Sequence, residues 1–147
     1  MIVEIEKDVL DSILKLSRIK LIFSGDEDKV QSGCIEEVCG ILIGKKKKGK
    51  ILIDEVKKVE NVANSRFLFE ISPYDLYNAY IYAQKMNKDV IGIFHSHPHG
   101  SANPSSLDAK GIKETGLVWM IVGKDDVKAF LYDDKLNKII ELKIKVK

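Results

Sequence analysis

Arginine is almost missing from a chain that is otherwise rich in positive charge. Arg18 and Arg66 are the only two among 24 lysines and arginines. Arginine makes the bidentate contacts that grip phosphates and base edges. Its scarcity, with a formal net charge of only +2, argues against a nucleic-acid partner. Cysteine is also sparse. Cys34 and Cys39 are too few for a disulfide framework. Cys39 lies in the apolar run 38–43 and reads as a small buried hydrophobe. Cys34 is left as a free thiol or a partner for Cys39, and neither is expected to be catalytic. No stretch approaches the roughly 20 apolar residues that span a bilayer. The opening "MIVEIEKDVL" carries acids where a signal peptide would be basic and then apolar. These absences fit a cytoplasmic protein in a reducing compartment, with no membrane partner.

What is present has a globular composition, with 45% hydrophobic and 31% charged residues. The 147 residues suit one domain, taken as 1–147, with neither an internal repeat nor a linker. Abundant Lys, Glu and Ile hint at a heat-adapted source. "IVEIE" alternates as a short strand does. Between Lys7 and Phe23, the residues Val9, Leu10, Ile13, Leu14, Leu16 and Ile19 recur at helical spacing. "EVCGILIG" and "ILIDEVKKVEN" read as a hairpin around the "KKKKGK" turn, whose lysines are expected to be solvated. "RFLFEI" reads as a further strand. "SPYDLYNAYIYAQKM" reads as a helix with Ser72 at its N-cap and Pro73 in its first turn. Its tyrosines, Tyr74, Tyr77, Tyr80 and Tyr82, are expected to pack on a sheet with their hydroxyls at the rim. "DVIGIFHSH" is a strand, "PHGSANPS" a loop, and "SLDAKGIKETG" a helix starting near Ser105 or Ser106. "LVWMIVG", "VKAFLYD" and "KIIELKIKV" are three more strands. The expectation is a mixed α/β fold, a sheet flanked by about three helices.

Histidine is scarce too, and it is concentrated. The three histidines, His95, His97 and His99, fall within "HSHPH". Residues i and i+2 of a strand share a face, so His95 and His97 emerge side by side where "VIGIF" leaves the core. That geometry suits two nitrogen ligands on one metal ion. A catalytic zinc takes three protein ligands and a water. Asp108, in the first turn of the following helix, is the favoured third ligand. His99 is its rival, but Pro98 and Gly100 bracket it and end the strand. The same Asp108 also suits a helix cap with no metal at all. A hydrolytic site needs a base as well, and Glu36 or Glu37 stands at the entry of a buried strand. Alternation lets only one of that pair face inward.

The patterns E-x2-G-x-L-x-G (Glu37 to Gly44) and H-S-H-P-x6-S-x2-D (His95 to Asp108) resemble the JAMM (MPN+) metalloprotease family, in its archaeal single-domain form. The resemblance implies a curved mixed sheet of cytidine-deaminase-like architecture. A deaminase itself is disfavoured, because neither His-x-Glu nor Cys-x-x-Cys is present. By the same resemblance His95, His97 and Asp108 hold one zinc ion, Glu37 (with Glu36 as runner-up) is the catalytic base, and Ser105 stabilises the oxyanion. The implied activity is an isopeptidase acting after the C-terminal glycine of a ubiquitin-like modifier. The alternatives are a processing peptidase for a ubiquitin-like sulfur carrier and a non-catalytic scaffold. Residues 20–34 look like an insertion relative to short family members.

Overall fold

The computed structural model describes residues 1–23, 37–63 and 69–147, with the side chains of 18–23 outside that description. In chain order its elements are β1 (Ile2–Ile5), α1 (Lys7–Phe23), β2 (Cys39–Lys47), β3 (Lys50–Val59), α2 (Pro73–Lys85), β4 (Asp89–Ser96), α3 (Ser106–Thr115), β5 (Val118–Val122), β6 (Val127–Asp133) and β7 (Lys138–Val146). The expected α+β composition is what the chain adopts, with three helices among the described residues. None of these helices is long and apolar enough to cross a membrane.

The strands lie in the order β1-β3-β2-β4-β5-β6-β7, and β1 pairs with both β3 and β7, so the sheet closes into a barrel. Both of those pairings are parallel, as is β4–β5, and the others are antiparallel. Closure needs sharp bending. A β-bulge falls between Ile43 and Gly44 where β2 meets β3. A Cβ at Gly44 would lie 1.8 Å from the Leu52 carbonyl oxygen, so only glycine fits there.

One face of the sheet packs with Val9 and Ile13 of α1 around Leu42, Ile51, Ile53, Ile91, Phe94 and Met120. The other face is covered twice. Ala79 and Ala83 of α2 sit on Ile41, Ile43 and Val90, while Ile112 of α3 sits with Ile93, Trp119, Ile121 and Phe130. Each large apolar side chain so buried contributes about 1.5–3 kcal/mol.

The strand β4 shows how the two faces are apportioned. Ile91 and Phe94 both belong to the α1 side, although strict alternation would separate them. The register between β2 and β4 slips between Leu42↔Gly92 and Ile43↔Val90, leaving Ile91 as an extra residue. That bulge reverses the phase of everything after it. Ile93 and His95 therefore turn to the face covered by α2 and α3.

Three expectations need correction or delimiting. "RFLFEI" forms no strand in its described part: Ile71 makes a single bridge to Asn61, and the Glu70 N–H is taken by the Asn61 side chain. Arg66, Phe67 and Leu68 lie outside the described residues. The tyrosines of α2 do not share a packed face. Tyr74, Tyr77 and Tyr80 are 72%, 63% and 47% exposed, because the small residues Ala79 and Ala83 form the buried stripe. Tyr82 alone reaches the sheet, donating its hydroxyl to Glu55 and lying under the Lys57 ammonium. Of the apparent insertion, residues 20–23 continue α1, and the remainder, Cys34 included, lies outside the described residues.

Candidate metal centre

β4 runs between β2 and β5, with His95 opposite Cys39 on one side and Ile121 on the other. The ladder continues past the strand's end: the His97 N–H donates to the Val122 carbonyl at 2.8 Å. His97 thus keeps strand geometry, and its ring centroid lies 4.9 Å from that of His95. His97 Nδ1–H donates to the Ser101 carbonyl oxygen at 2.8 Å, which leaves the lone pair of the neutral ring on Nε2. Phe69 stacks on His95 at 4.3 Å, and Trp119 meets the same ring edge-on at 5.8 Å. Gly111 makes room for that indole, since a Cβ there would lie 2.2 Å from its outer edge.

Glu37 enters from the neighbouring strand. Ser96 N–H donates to the Val38 carbonyl, and Val38 N–H donates to Ser96 Oγ, both at 2.9 Å. Continuing the Cys39↔His95 register by two residues sets Glu37 opposite His97, on the same face. Glu37 Oε1 lies 3.7 Å from His95 Nδ1 and 3.8 Å from His97 Nε2. Ligand atoms of Glu37, His95 and His97 all fall within 4.8 Å of one another.

Asp108 comes from α3. Ser105 is the N-cap: its Oγ accepts the Asp108 N–H at 3.1 Å, while its own N–H donates to Asp108 Oδ2 at 2.9 Å. This capping box is the bland reading of Asp108, and it is present. It does not use up the carboxylate. Asp108 Oδ1 lies 3.0 Å from His95 Nε2, and Oδ2 lies 3.0 Å from His97 Nε2. Nor does it commit the hydroxyl proton of Ser105, because the cap uses that oxygen as an acceptor.

The cluster is dry. Glu37, His95 and Asp108 are all buried. Neither ring nitrogen of His95 makes a hydrogen bond of acceptable geometry among the described residues, despite the nearby Asp108 oxygen. A buried polar atom left so costs about 1–3 kcal/mol. Burial disfavours the charged form of His95, yet the Asp108 and Glu37 carboxylates outweigh it and raise its basicity. The Asp108 carboxylate likewise raises that of His97, against burial. Burial alone would raise the Asp108 pKa, but the two imidazoles and the Ser105 N–H hold it well below the usual carboxylate range. Two imidazoles and a carboxylate, converging with one ring unsatisfied, suit a divalent cation. This donor set is one that zinc takes in catalytic sites.

His99 is exposed on the loop after β4. Glu36 lies outside the described residues. Burial, with Glu37 second, pushes the Cys39 thiol up to about 12, so it is no thiolate nucleophile near neutral pH. Sequence reasoning missed Ser96, Phe69, Trp119 and Asn61. Asn61 donates from Nδ2 to the Glu37 carbonyl at 2.9 Å, and its Oδ1 accepts from Ala63 N–H at 3.1 Å and Glu70 N–H at 3.0 Å. In the sequence it is only the last residue of the strand read as "ILIDEVKKVEN".

Two clefts meet at the cluster. One, about 280 Å³, is lined by Phe69, Leu107 and Trp119 together with Glu37, Ser105 and Asp108. The other, about 350 Å³, follows His97–Ser101 and shares Glu37 and Ser105. A larger hollow of about 570 Å³ lies at the opposite end of β4, beside Lys46, Lys88 and Asp89, and contains none of these residues.

Comparison with known proteins gives one family. The family described as prokaryotic homologs of the JAB domain matches residues 28–133. A desampylase from Pyrococcus furiosus is 39% identical over 119 residues, covering 80% of this chain and 81% of the relative. Among solved structures, a protein from Desulfitobacterium hafniense superposes with a TM-score of 0.79 at 22% identity, over 99% of this chain and 93% of its own. A JAB1/MPN domain protein from Archaeoglobus fulgidus gives 0.55 at 20% identity, over 98% and 99%. At such identities these two structures attest the fold alone.

Proposed function

The chain belongs to the prokaryotic homologs of the JAB domain, and on that basis we propose that it is a zinc-dependent peptidase. Its proposed substrate is the amide bond after the C-terminal glycine of a small ubiquitin-like protein, joined to a lysine of a target. The single observation that carries this reading is the buried His95 ring, 3.0 Å from Asp108 and 3.7 Å from Glu37, with both nitrogens unmatched among the described residues. The kinship to a desampylase supports the substrate class.

In this reading His95, His97 and Asp108 hold the zinc ion. Bound there, zinc would supply Lewis acidity and lower the pKa of a water to about 7. The rest falls to the chain's own groups. Glu37 takes the proton of the attacking water and later delivers it to the leaving amine nitrogen. Ser105 donates its hydroxyl proton to the carbonyl oxygen as negative charge builds there, a contribution of about 3–4 kcal/mol for one well-placed donor. Phe69, Leu107 and Trp119 keep one side of the reacting atoms apolar. Glycines at the cleaved end suit a site this narrow.

The test is cleavage of two substrates by zinc-loaded protein: a modifier joined through a lysine side chain and the same modifier in linear fusion. Hydrolysis of the isopeptide is expected. Cleavage of the linear fusion alone would move the reading to a processing peptidase, such as one for a ubiquitin-like sulfur carrier. No cleavage and no bound zinc would leave a scaffold.

A further inference from the structure

Asn61 is buried, and its carboxamide ties together three separate backbone segments. Nδ2 donates to the carbonyl of Glu37, at the entry to β2. Oδ1 accepts from Ala63 on one limb of the following loop and from Glu70 on the other. The two limbs are also joined by Val62 N–H to the Glu70 carbonyl at 3.0 Å and by the Asn61↔Ile71 bridge. The amide can sit only one way round, since the reverse would set its oxygen against the Glu37 carbonyl. The two limbs matter because Ala63, Phe69 and Glu70 line the same cleft as Glu37, and Phe69 stacks on His95.

Given the peptidase reading above, we propose that Asn61 is a positioning residue that sets the Glu37 peptide in register with the two loop limbs lining the cleft. A substrate chain laid against Ala63, Phe69 and Glu70 is thereby set at a fixed distance from the carboxylate that moves the proton. On the other side Ser96 grips Val38, so Glu37 is held between two side chains from different strand ends. Displacing a reacting group by about 1 Å costs on the order of 10²-fold in rate. A single lost hydrogen bond can therefore matter far more to turnover than to folding.

Two substitutions separate the roles of this one side chain. Asn61→Asp keeps an oxygen for the Ala63 and Glu70 amides but loses the donor to Glu37. Asn61→Ala loses both. For Asn61→Asp the expected result is a fall in kcat of roughly 10- to 100-fold, with KM for the isopeptide conjugate and zinc content unchanged. Asn61→Ala should lower kcat similarly and raise KM as well. Amide hydrogen exchange reads the same division without activity. Val38 should lose protection in Asn61→Asp, while Ala63 and Glu70 keep theirs; all three should lose it in Asn61→Ala. Wild-type kcat and wild-type Val38 protection in Asn61→Asp would overturn the proposal. So would a fall in kcat that merely tracks lost zinc or lost folded protein. If the wild-type protein cleaves nothing, the peptidase reading fails, and the exchange pattern still decides whether Asn61 couples loop to strand.

Discussion

Glu4 and Asp108 are both carboxylates held almost out of reach of solvent, and they are neutralised in opposite ways. Glu4 sits on β1 where the barrel closes, within 3.1 Å of Lys50, 3.7 Å of Lys147 and 3.9 Å of Lys145. These lysines come from β3 and from β7 and its end, the two strands that β1 joins. The lysine side chains themselves stay about half exposed. At the other site Asp108 and Glu37 face two imidazoles on a stiff strand, and His95 keeps two unmatched nitrogens among the described residues. The first cluster is completed by the chain itself and needs nothing more. The second leaves a buried ring without a hydrogen bond of acceptable geometry among the described residues, and its donor set suits a cation.

That contrast can be broken most forcefully at Glu37. Glu37→Gln should cut single-turnover hydrolysis by about 10³-fold or more, within the range that one general base supplies, while bound zinc by elemental analysis stays at one per chain. Retained turnover would move the proton transfer to Glu36.

Metal linkage comes next. Zinc at about 1,000 times its dissociation constant should stabilise the wild type by about 4 kcal/mol, seen as a raised melting midpoint. His95→Ala should show no such rise. Asp108→Asn, which keeps an oxygen for the Ser105 cap, should also lose most of it. A zinc-dependent rise that survives in both variants would mean that the ion binds elsewhere.

Ser105 carries two duties, and its variants sharpen the division between structure and chemistry. Ser105→Ala should lower kcat by about 10²-fold and cost about 1 kcal/mol of stability through the lost cap. Ser105→Thr, which restores both hydroxyl functions, should recover most of each. An equal loss in Ser105→Thr would show that the hydroxyl is not what matters.

The smallest effect belongs to Glu4. Lys50 above all holds its carboxyl below the usual carboxylate range, with Lys147 and Lys145 adding to this against the effect of burial. A carboxyl so depressed stabilises the fold above its unfolded pKa, and that stability is lost as pH falls through the folded value. Glu4→Gln should therefore lower the melting midpoint slightly at neutral pH, and the difference from wild type should vanish in acid. Turnover should not change.

The sequence disclosed what depends on local chemistry. His95 and His97 at strand spacing, the capped Asp108 and the Ser72 and Ser105 helix starts all rest on neighbours within a few residues. What stayed hidden depends on pairing between distant segments. The face to which His95 turns is set by the bulge at Ile91, visible only once β2 is laid against β4. Barrel closure rests on β1 pairing in parallel with two strands far along the chain. Asn61 and Phe69 gain their contacts only when the loop after β3 folds back beside Glu37 and His95. The spacing of Leu76, Ala79, Tyr80 and Ala83 marks the apolar stripe of α2, and Ala79 and Ala83 are buried on it; the tyrosines misled because aromatic bulk does not by itself place a ring on the packed side. In α2 the two small alanines take that place.

The most direct measurement is anomalous scattering at the zinc edge on crystals of the purified protein. One peak per chain is expected, about 2.0–2.2 Å from a nitrogen of His95, a nitrogen of His97 and an oxygen of Asp108. With zinc supplied in excess, an empty map there, or three side chains turned away from one another, would contradict the account.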